Sequence, residues 1–505
     1  MIHISTSFAL LVVAIIILVC IAGSRLSGRL GVPTLFIFIM LGMLFGSDGI
    51  FKIPFGNFAL AEQVCSVALI FIMFYGGFGT RWSEAKPVAG RSILLSSVGV
   101  VLTALLTGLF CHLVLKMALM EGMLLGAVLG STDAASVFSI LRSRKLNLKY
   151  GTASMLELES GSNDPFAYMM TVILLSAMTG SVSGGSAVLL LIRQLAFGLL
   201  TGATVAWLVT WLLKRYAFYG EGFDTIFVFA AAIISYALAS QIGGNGYLSV
   251  YLTGIILGNQ ELKNQKALVG FFDAFTGMMQ MLLFFLLGLL AFPSQMPSIV
   301  LPAIAIALFL TFVARPAAVG LLLAPSKPPI GQYLVISWAG LRGAASIVFA
   351  IMATLSEGYM KYDIFHIVFC VVLFSIIFQG SLLPKVAEKC DMIDNSTDVM
   401  RTFSDYTGDM QIQFVQLPIG DNHPWKNRKI CEIEMLPGML ITVIRRGAQT
   451  IVPKGQTVIQ EGDTVVLGAE GFTDSQGILL KEILMTPDHR WCGKKIAEAR
   501  FYKNT

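Results

Sequence analysis

Thirteen predominantly apolar stretches run through the first three-quarters of this chain, near 8–23, 33–48, 57–78, 91–116, 119–141, 152–177, 186–213, 225–241, 245–259, 268–292, 297–323, 329–355 and 362–384. A helix needs about 20 apolar residues to cross the hydrocarbon core of a bilayer. Lipid admits only segments that satisfy their own backbone hydrogen bonds. The runs therefore predict an α-helical polytopic membrane protein with about 13 transmembrane helices. Charge separates the remainder: residues 1–385 hold 35 charged side chains and residues 386–505 hold 30. The tail reads as a water-soluble domain. A secreted disulfide scaffold, a disordered chain and a soluble nucleic-acid binder are excluded. Hydrophobic residues reach 56%, the seven cysteines are scattered without a C-x-x-C pair, and a net charge of +5 calls for no anionic polymer.

Basic residues orient the spans, because short cytoplasmic loops concentrate Lys and Arg. Loops after odd-numbered spans carry fourteen, beginning with Arg25 and Arg29, and loops after even-numbered spans carry three: Lys52, Lys116 and Lys361. The N-terminus is expected outside and the tail after Lys385 in the cytoplasm. The first run is read as a retained helix rather than a signal peptide, since its basic residues follow it. Gly130-Ser-Thr-Asp-Ala-Ala-Ser136 in span 5 and Gly340-Leu-Arg-Gly-Ala-Ala-Ser346 in span 12 share four of seven residues. With span 7 as a connector, each is the fifth helix of a six-helix set, and the two run in opposite directions. This predicts a 6+1+6 inverted repeat whose spans 5 and 12 are discontinuous and cross near the bilayer centre.

An ionisable group at the bilayer centre costs roughly 2.5–3.5 kcal/mol on insertion scales, so it marks function or pairing. Five are placed at mid-span: Asp133, Glu157, Glu159, Asp164 and Arg342. Arg193, Arg315 and Asp273 are expected near span ends, where long side chains reach the interface. On span 6, Glu157, Ser160 and Asp164 share one helical stripe, while Glu159 and Asn163 share a second about 100° away. Asp164 falls about 18 Å into a helix beginning near Thr152, close to the midplane.

Burial there disfavours the charged carboxylate, so a proton and a metal cation compete to neutralise it. Each neutralised form can cross the barrier and the bare anion cannot, which is an exchange mechanism. Ser160 and freed backbone carbonyls around Thr132 would add neutral oxygens, a set suited to a monovalent cation rather than Mg²⁺ or Ca²⁺. Asp133 either caps the second half-helix or faces the ion through a water. Glu157, roughly 10 Å nearer the cytoplasm, either lines an entry funnel or is a solvated residue near the helix end. Glu159 is the expected partner of Arg342, because a buried guanidinium must be paired and hydrogen-bonded, with Asn163 sharing the network.

Thr132-Asp133, Glu159-Ser160-x-x-Asn163-Asp164 and Gly340-Leu-Arg342-Gly resemble, in that order, motifs of the bacterial NhaP-type cation:proton antiporters of the sodium/proton exchanger superfamily. The resemblance covers the transmembrane part. It implies a thirteen-helix homodimer in the bacterial inner membrane, with a core domain that moves against a dimerisation domain. It further implies that Asp164 binds cation or proton, that Thr132 and Ser160 are ligands, and that Glu159–Arg342 is a supporting pair. Exchange of one cation for one proton is implied as well. Many members carry an acidic residue before paired glycines in span 3, where this chain reads Met73-Phe-Tyr75-Gly-Gly77. Losing that carboxylate favours K⁺ over Na⁺ and makes Tyr75 an accessory candidate.

The tail alternates short β patterns (Met410–Pro418, Met439–Arg445, Thr464–Leu467) with a short helix over Ile430–Leu436, a small α+β pattern. It is similar to the TrkA-C module that often accompanies potassium transporters, and the combination resembles potassium/proton antiporters of the CvrA type. The expected organisation is an antiporter domain over 1–385, a linker over 386–402, a regulatory domain over 403–485, and over 486–505 the start of a further segment that continues beyond this chain. No cofactor is expected apart from a small-molecule regulator of the tail. A channel would call for a TVGYG-like filter run. An intramembrane aspartyl protease built on Asp133 and Asp164 would have Arg342 opposing the shared proton. A membrane-anchored sensor would lose all output with its tail.

Overall fold

The computed structural model describes residues 6–30, 33–133, 136–137, 140–141, 146–181, 184–215, 222–260, 262, 265–358, 360–394, 412–421, 423–433, 435, 439–447 and 449–470. Expectations on Arg142, Arg144, Lys145 and Lys263, on residues 410–411 and on segment 486–505 lie outside these. The chain forms two compact units, Met1–Thr407 and Gly408–Thr505.

The first unit is helical. Its elements are α1 (Thr6–Leu30), α2 (Thr34–Phe45), α3 (Phe58–Gly79), α4 (Ala89–Leu113), α5 (Leu119–Val128), α6 (Thr152–Met178) and α7 (Gly184–Arg215). They continue with α8 (Phe223–Gln241), α9 (Gly246–Gly258), α10 (Gln265–Leu290), α11 (Pro293–Ser326), α12 (Ile330–Trp338), α13 (Ala344–Thr354) and α14 (Ile364–Lys389). Among the described residues, seven helices are long and apolar enough to cross a membrane, and five shorter apolar helices accompany them. α6 is not among the seven despite its 27 residues, because acidic and small polar residues fill its first half. Its polar groups are instead covered by neighbouring helices: Glu159, Ser160, Asn163 and Asp164 are all buried. Apolar side chains such as Leu18 of α1, Trp207 of α7 and Ile226 of α8 face outward, as a lipid-facing rim requires.

Glycine lets the helices approach at backbone distance. A Cβ at Gly77 of α3 would lie 2.3 Å from the Tyr251 carbonyl oxygen of α9, and one at Gly254 would lie 2.3 Å from that of Phe74. Two interruptions meet inside this packing. α5 stops at Val128, residues 129–133 are non-helical, and helical backbone resumes at 136–137. α12 stops at Trp338 and α13 starts at Ala344. The Asp133 N–H donates to the Leu341 carbonyl across the gap at 2.8 Å. Close contact is enforced at Gly343, where a Cβ would fall 2.3 Å from the Asp133 Cβ. Wide helical turns at Leu310–Ala314 in α11 and Ser375–Gly380 in α14 flank the crossing; such π segments re-aim the side chains beside them.

The second unit is a four-stranded antiparallel sheet in the order β1-β4-β2-β3, with β1 Ile412–Pro418, β2 Met439–Arg446, β3 Gln449–Ile451 and β4 Asp463–Glu470. Ile441 and Ile444, brought to one face by a bulge in β2, and the alternate residues Val465 and Leu467 bury its core with Ile419 and Ile459. The expected helix over Ile430–Leu436 is a single 3-10 turn, Ile430–Glu432, among the described residues. Asp463 opens β4 and is clamped by Arg446, whose Nε and Nη2 donate at 2.7 and 2.8 Å.

Candidate functional site

α6 carries Asp164 to the point where the two interrupted helices cross. The carboxylate is 7% exposed, and the Ser131 hydroxyl donates to its Oδ1. Beside it lies a cavity of about 40 Å³ whose polar wall comprises Ser131, Thr132, Asp133, Asp164 and Gln280. Leu69, Ile72 and Phe284 supply part of its apolar wall. A water needs roughly 10–15 Å³ of such space, so the cavity has room for a few waters or one small ion.

Asp133 takes the cap position: its Oδ1 and Oδ2 accept from the Ser136 N–H at 3.3 Å and the Ser136 hydroxyl at 2.5 Å. It also lines the cavity, so capping and a place on the cavity wall coexist. Asn163 binds the break of span 5 reciprocally. Its Nδ2 donates to Thr132 Oγ1 at 2.5 Å and its Oδ1 accepts from the Thr132 N–H at 3.3 Å. Asn163 therefore holds Thr132 rather than sharing an ion-pair network. The Ser160 hydroxyl donates to the Thr132 carbonyl, which commits both groups to each other. The hydroxyl that reaches Asp164 is that of Ser131, which the residue pattern alone does not single out.

The expected Glu159–Arg342 pair is corrected. Glu159 pairs with Arg315, Oε1 to Nη2 at 2.6 Å, with side chains 1% and 5% exposed. Arg315 follows the wide turn Leu310–Ala314 and lies well inside a 34-residue helix, not near a span end. Arg342 is buried too, and its Nη1 donates to the carbonyls of Leu129 and Ser131. Those are carbonyls the break strips of helical donors, at the negative end of the α5 dipole. Its backbone N–H donates to the Ser375 hydroxyl at 3.0 Å. Arg342 thus ties the two breaks together through backbone, while Arg315 neutralises Glu159.

Tyr75 stands off the cavity. Its hydroxyl donates to Asp273 Oδ1 at 3.0 Å, and Ile72, one turn earlier on α3, lines the wall instead. Tyr75 therefore does not line the cavity at Asp164. Glu157 is half-buried, two turns before Asp164 on α6 and away from the cavity wall.

Residues 14–389 match the family model described as sodium/hydrogen exchanger, transmembrane, and residues 414–470 match the TrkA-C domain. A protein of Alkalimonas amylolytica named K(+)/H(+) antiporter NhaP is 36% identical over 382 residues, 75% of this chain and 66% of the relative. K(+)/H(+) antiporter NhaP2 of Shewanella sp. (strain MR-4) is 33% identical over 470 residues, 91% of this chain and 81% of the relative. The solved structure of the sodium proton antiporter MjNhaP1 from Methanocaldococcus jannaschii at pH 8 superimposes with a TM-score of 0.67 at 23% identity, covering 76% of this chain and 99% of that one.

Proposed function

Because the chain belongs to the sodium/hydrogen exchanger family, we propose that it exchanges a monovalent cation, K⁺ in preference to Na⁺, for protons across the membrane. The observation that carries this reading is one buried carboxylate, Asp164, on a small cavity at the crossing of two interrupted helices. Proton and cation compete there. The anion left by losing both is too costly to move through the low-dielectric barrier, so each occupied form returns only after exchange. One titrating carboxylate trades one charge for one, which makes the exchange electroneutral. The Ser131 and Thr132 hydroxyls and Gln280 offer neutral oxygens beside Asp164, and the second carboxylate on the wall, Asp133, is engaged by Ser136, a set matched to a weakly hydrated cation. Asp164, Thr132, Ser131 and Asp133 form the binding group in this reading. Ser160 and Asn163 hold Thr132 in place, Glu159–Arg315 and Arg342 brace the crossing, and Glu157 stands at the approach.

K⁺ is favoured because the two relatives named K(+)/H(+) antiporters are 33–36% identical to this chain. Na⁺ is the second reading, favoured by the fold shared with a sodium proton antiporter. The wider architecture belongs to the same proposal: thirteen spans in a 6+1+6 inverted repeat, a homodimer in the bacterial inner membrane, the N-terminus outside, and a cytoplasmic TrkA-C tail over 403–485 that regulates transport through a small molecule. Proteoliposomes with an imposed proton gradient test it. Dissipation on adding K⁺, weaker with Na⁺ and Li⁺ and nil with choline, is the expected result; a gradient indifferent to alkali cations with and without the tail would refute it.

A further inference from the structure

The buried polar side chains of α6 bind it to the interrupted helices and α11: Ser160 and Asn163 reach Thr132, Asp164 meets Ser131, and Glu159 meets Arg315. α9 packs at backbone distance against other partners. Gly77 and Gly254 bring it against α3, and a Cβ at Gly198 of α7 would fall 2.9 Å from the carbonyl oxygen of Asn245, the N-cap of α9. Asn245 is fully buried and is held from that side. Its Oδ1 accepts from the Leu248 N–H at 3.0 Å, and its own N–H donates to the Gln194 carbonyl of α7 at 2.9 Å. Its Nδ2 reaches the other way and donates to the Pro165 carbonyl of α6 at 2.8 Å, one residue past Asp164.

The cavity beside Asp164 lies on a seam of the same kind. Ser131, Thr132, Asp133 and Asp164 line it from the crossing, while Leu69 and Ile72 of α3 and Phe284 of α10 line it from the opposite side. An exchanger must open this site to one face and then to the other, so the two walls have to shift against each other. A hydrogen bond tolerates little of that: beyond about 3.5 Å between donor and acceptor it is lost. We propose that Asn245 is a positioning residue whose side chain bonds Pro165 in one orientation of the site and releases it in the other. The proposal rests on the antiport reading above. The bond then biases the resting distribution between the two orientations, by about fivefold for an ordinary hydrogen bond.

The test uses the full chain and the variant Asn245→Ser, which keeps an N-cap hydroxyl but is too short to reach Pro165. Half-saturating K⁺ is measured in right-side-out and in everted membrane vesicles, so that K⁺ is supplied to one face and then to the other. Apparent affinity at each face scales with the fraction of sites turned towards it. Losing a bond made in one orientation therefore moves the two values in opposite directions, and their ratio should change about fivefold. Asn245→Asp also caps the helix and sets a carboxylate against the Pro165 carbonyl, so it should move the ratio the same way and at least as far. A constant ratio in either variant, beside an inactive Asp164→Asn, overturns this inference and leaves antiport standing, because the bond would then serve both orientations alike. Loss of folded protein in both variants also overturns it, since Asn245 would then be a structural cap. Exchange that survives Asp164→Asn removes the antiport reading and this inference together.

Discussion

Replacing Arg315 by Met should strand a charge where none can be tolerated. Glu159 is 1% exposed, and Arg315 lies 2.6 Å from its carboxylate. Methionine keeps most of the volume and removes the guanidinium, and losing one partner of a buried ion pair costs about 3–5 kcal/mol. The double variant Glu159→Gln with Arg315→Met carries no stranded charge, so it should recover about 2 kcal/mol or more relative to Arg315→Met alone. Arg342→Met is different: it leaves two neutral carbonyls, those of Leu129 and Ser131, without their donor. Hydrogen bonds to charged groups are worth about 1.5–3 kcal/mol each, so that variant is also destabilised, but Glu159→Gln should not rescue it. Thermal unfolding of detergent-purified protein, read with cellular abundance, gives all five Tm values. Rescue of Arg342→Met, with Arg315→Met left unrescued, would refute the assignment.

Ser131→Ala removes the hydroxyl that donates to Asp164; the half-saturating K⁺ concentration should rise about tenfold, and an unchanged value in transport assays would place Ser131 outside the site. Gly343→Ala would put a Cβ 2.3 Å from that of Asp133, at a contact between two backbone breaks. Overpacking there should cost about 2 kcal/mol or more, and normal abundance with normal exchange would count against the crossing. In the tail, the hydrogen bonds from Arg446 hold the Asp463 carboxyl below the usual carboxylate range. A depressed folded pKa stabilises fully above the unfolded value of about 3.9 and is lost as pH falls through the lowered one. Hydrogen exchange of β2 and β4 amides in the full chain should therefore show protection lost in wild type only below about pH 4, and already reduced at neutral pH in Arg446→Gln. Coinciding profiles would contradict the clamp.

The membrane fold was legible because lipid leaves few choices: apolar length gives spans, and small residues interrupted by charge in spans 5 and 12 announce the breaks. The α6 stripes single out Asp164, and it lies buried on the cavity at the crossing of the interrupted helices. Pairing was not legible. Glu159 was matched to Arg342 on depth alone, but which arginine a carboxylate meets depends on how α11 rotates after its wide turn at Leu310–Ala314, and no periodicity encodes that. Arg315 is expected near a span end from sequence, yet it lies inside α11 and buried against Glu159. Ser131 escaped because a serine in a broken helix is as often packing as ligand; only the non-helical backbone at 129–133 turns its hydroxyl toward Asp164. Tyr75 was judged by its neighbours in sequence, whereas one helical turn decides whether a residue lines the cavity.

Competition at Asp164 is the centre of this account, and it has a direct signature. The half-saturating K⁺ concentration should be measured in proteoliposomes across pH, for the wild type, with Asp164→Asn as the inactive reference. If proton and cation contend for one carboxylate, the value rises as pH falls, approaching about tenfold per pH unit on the acid side, while the saturating rate changes far less. A half-saturating concentration that stays constant across pH, or exchange that persists in Asp164→Asn, would contradict it.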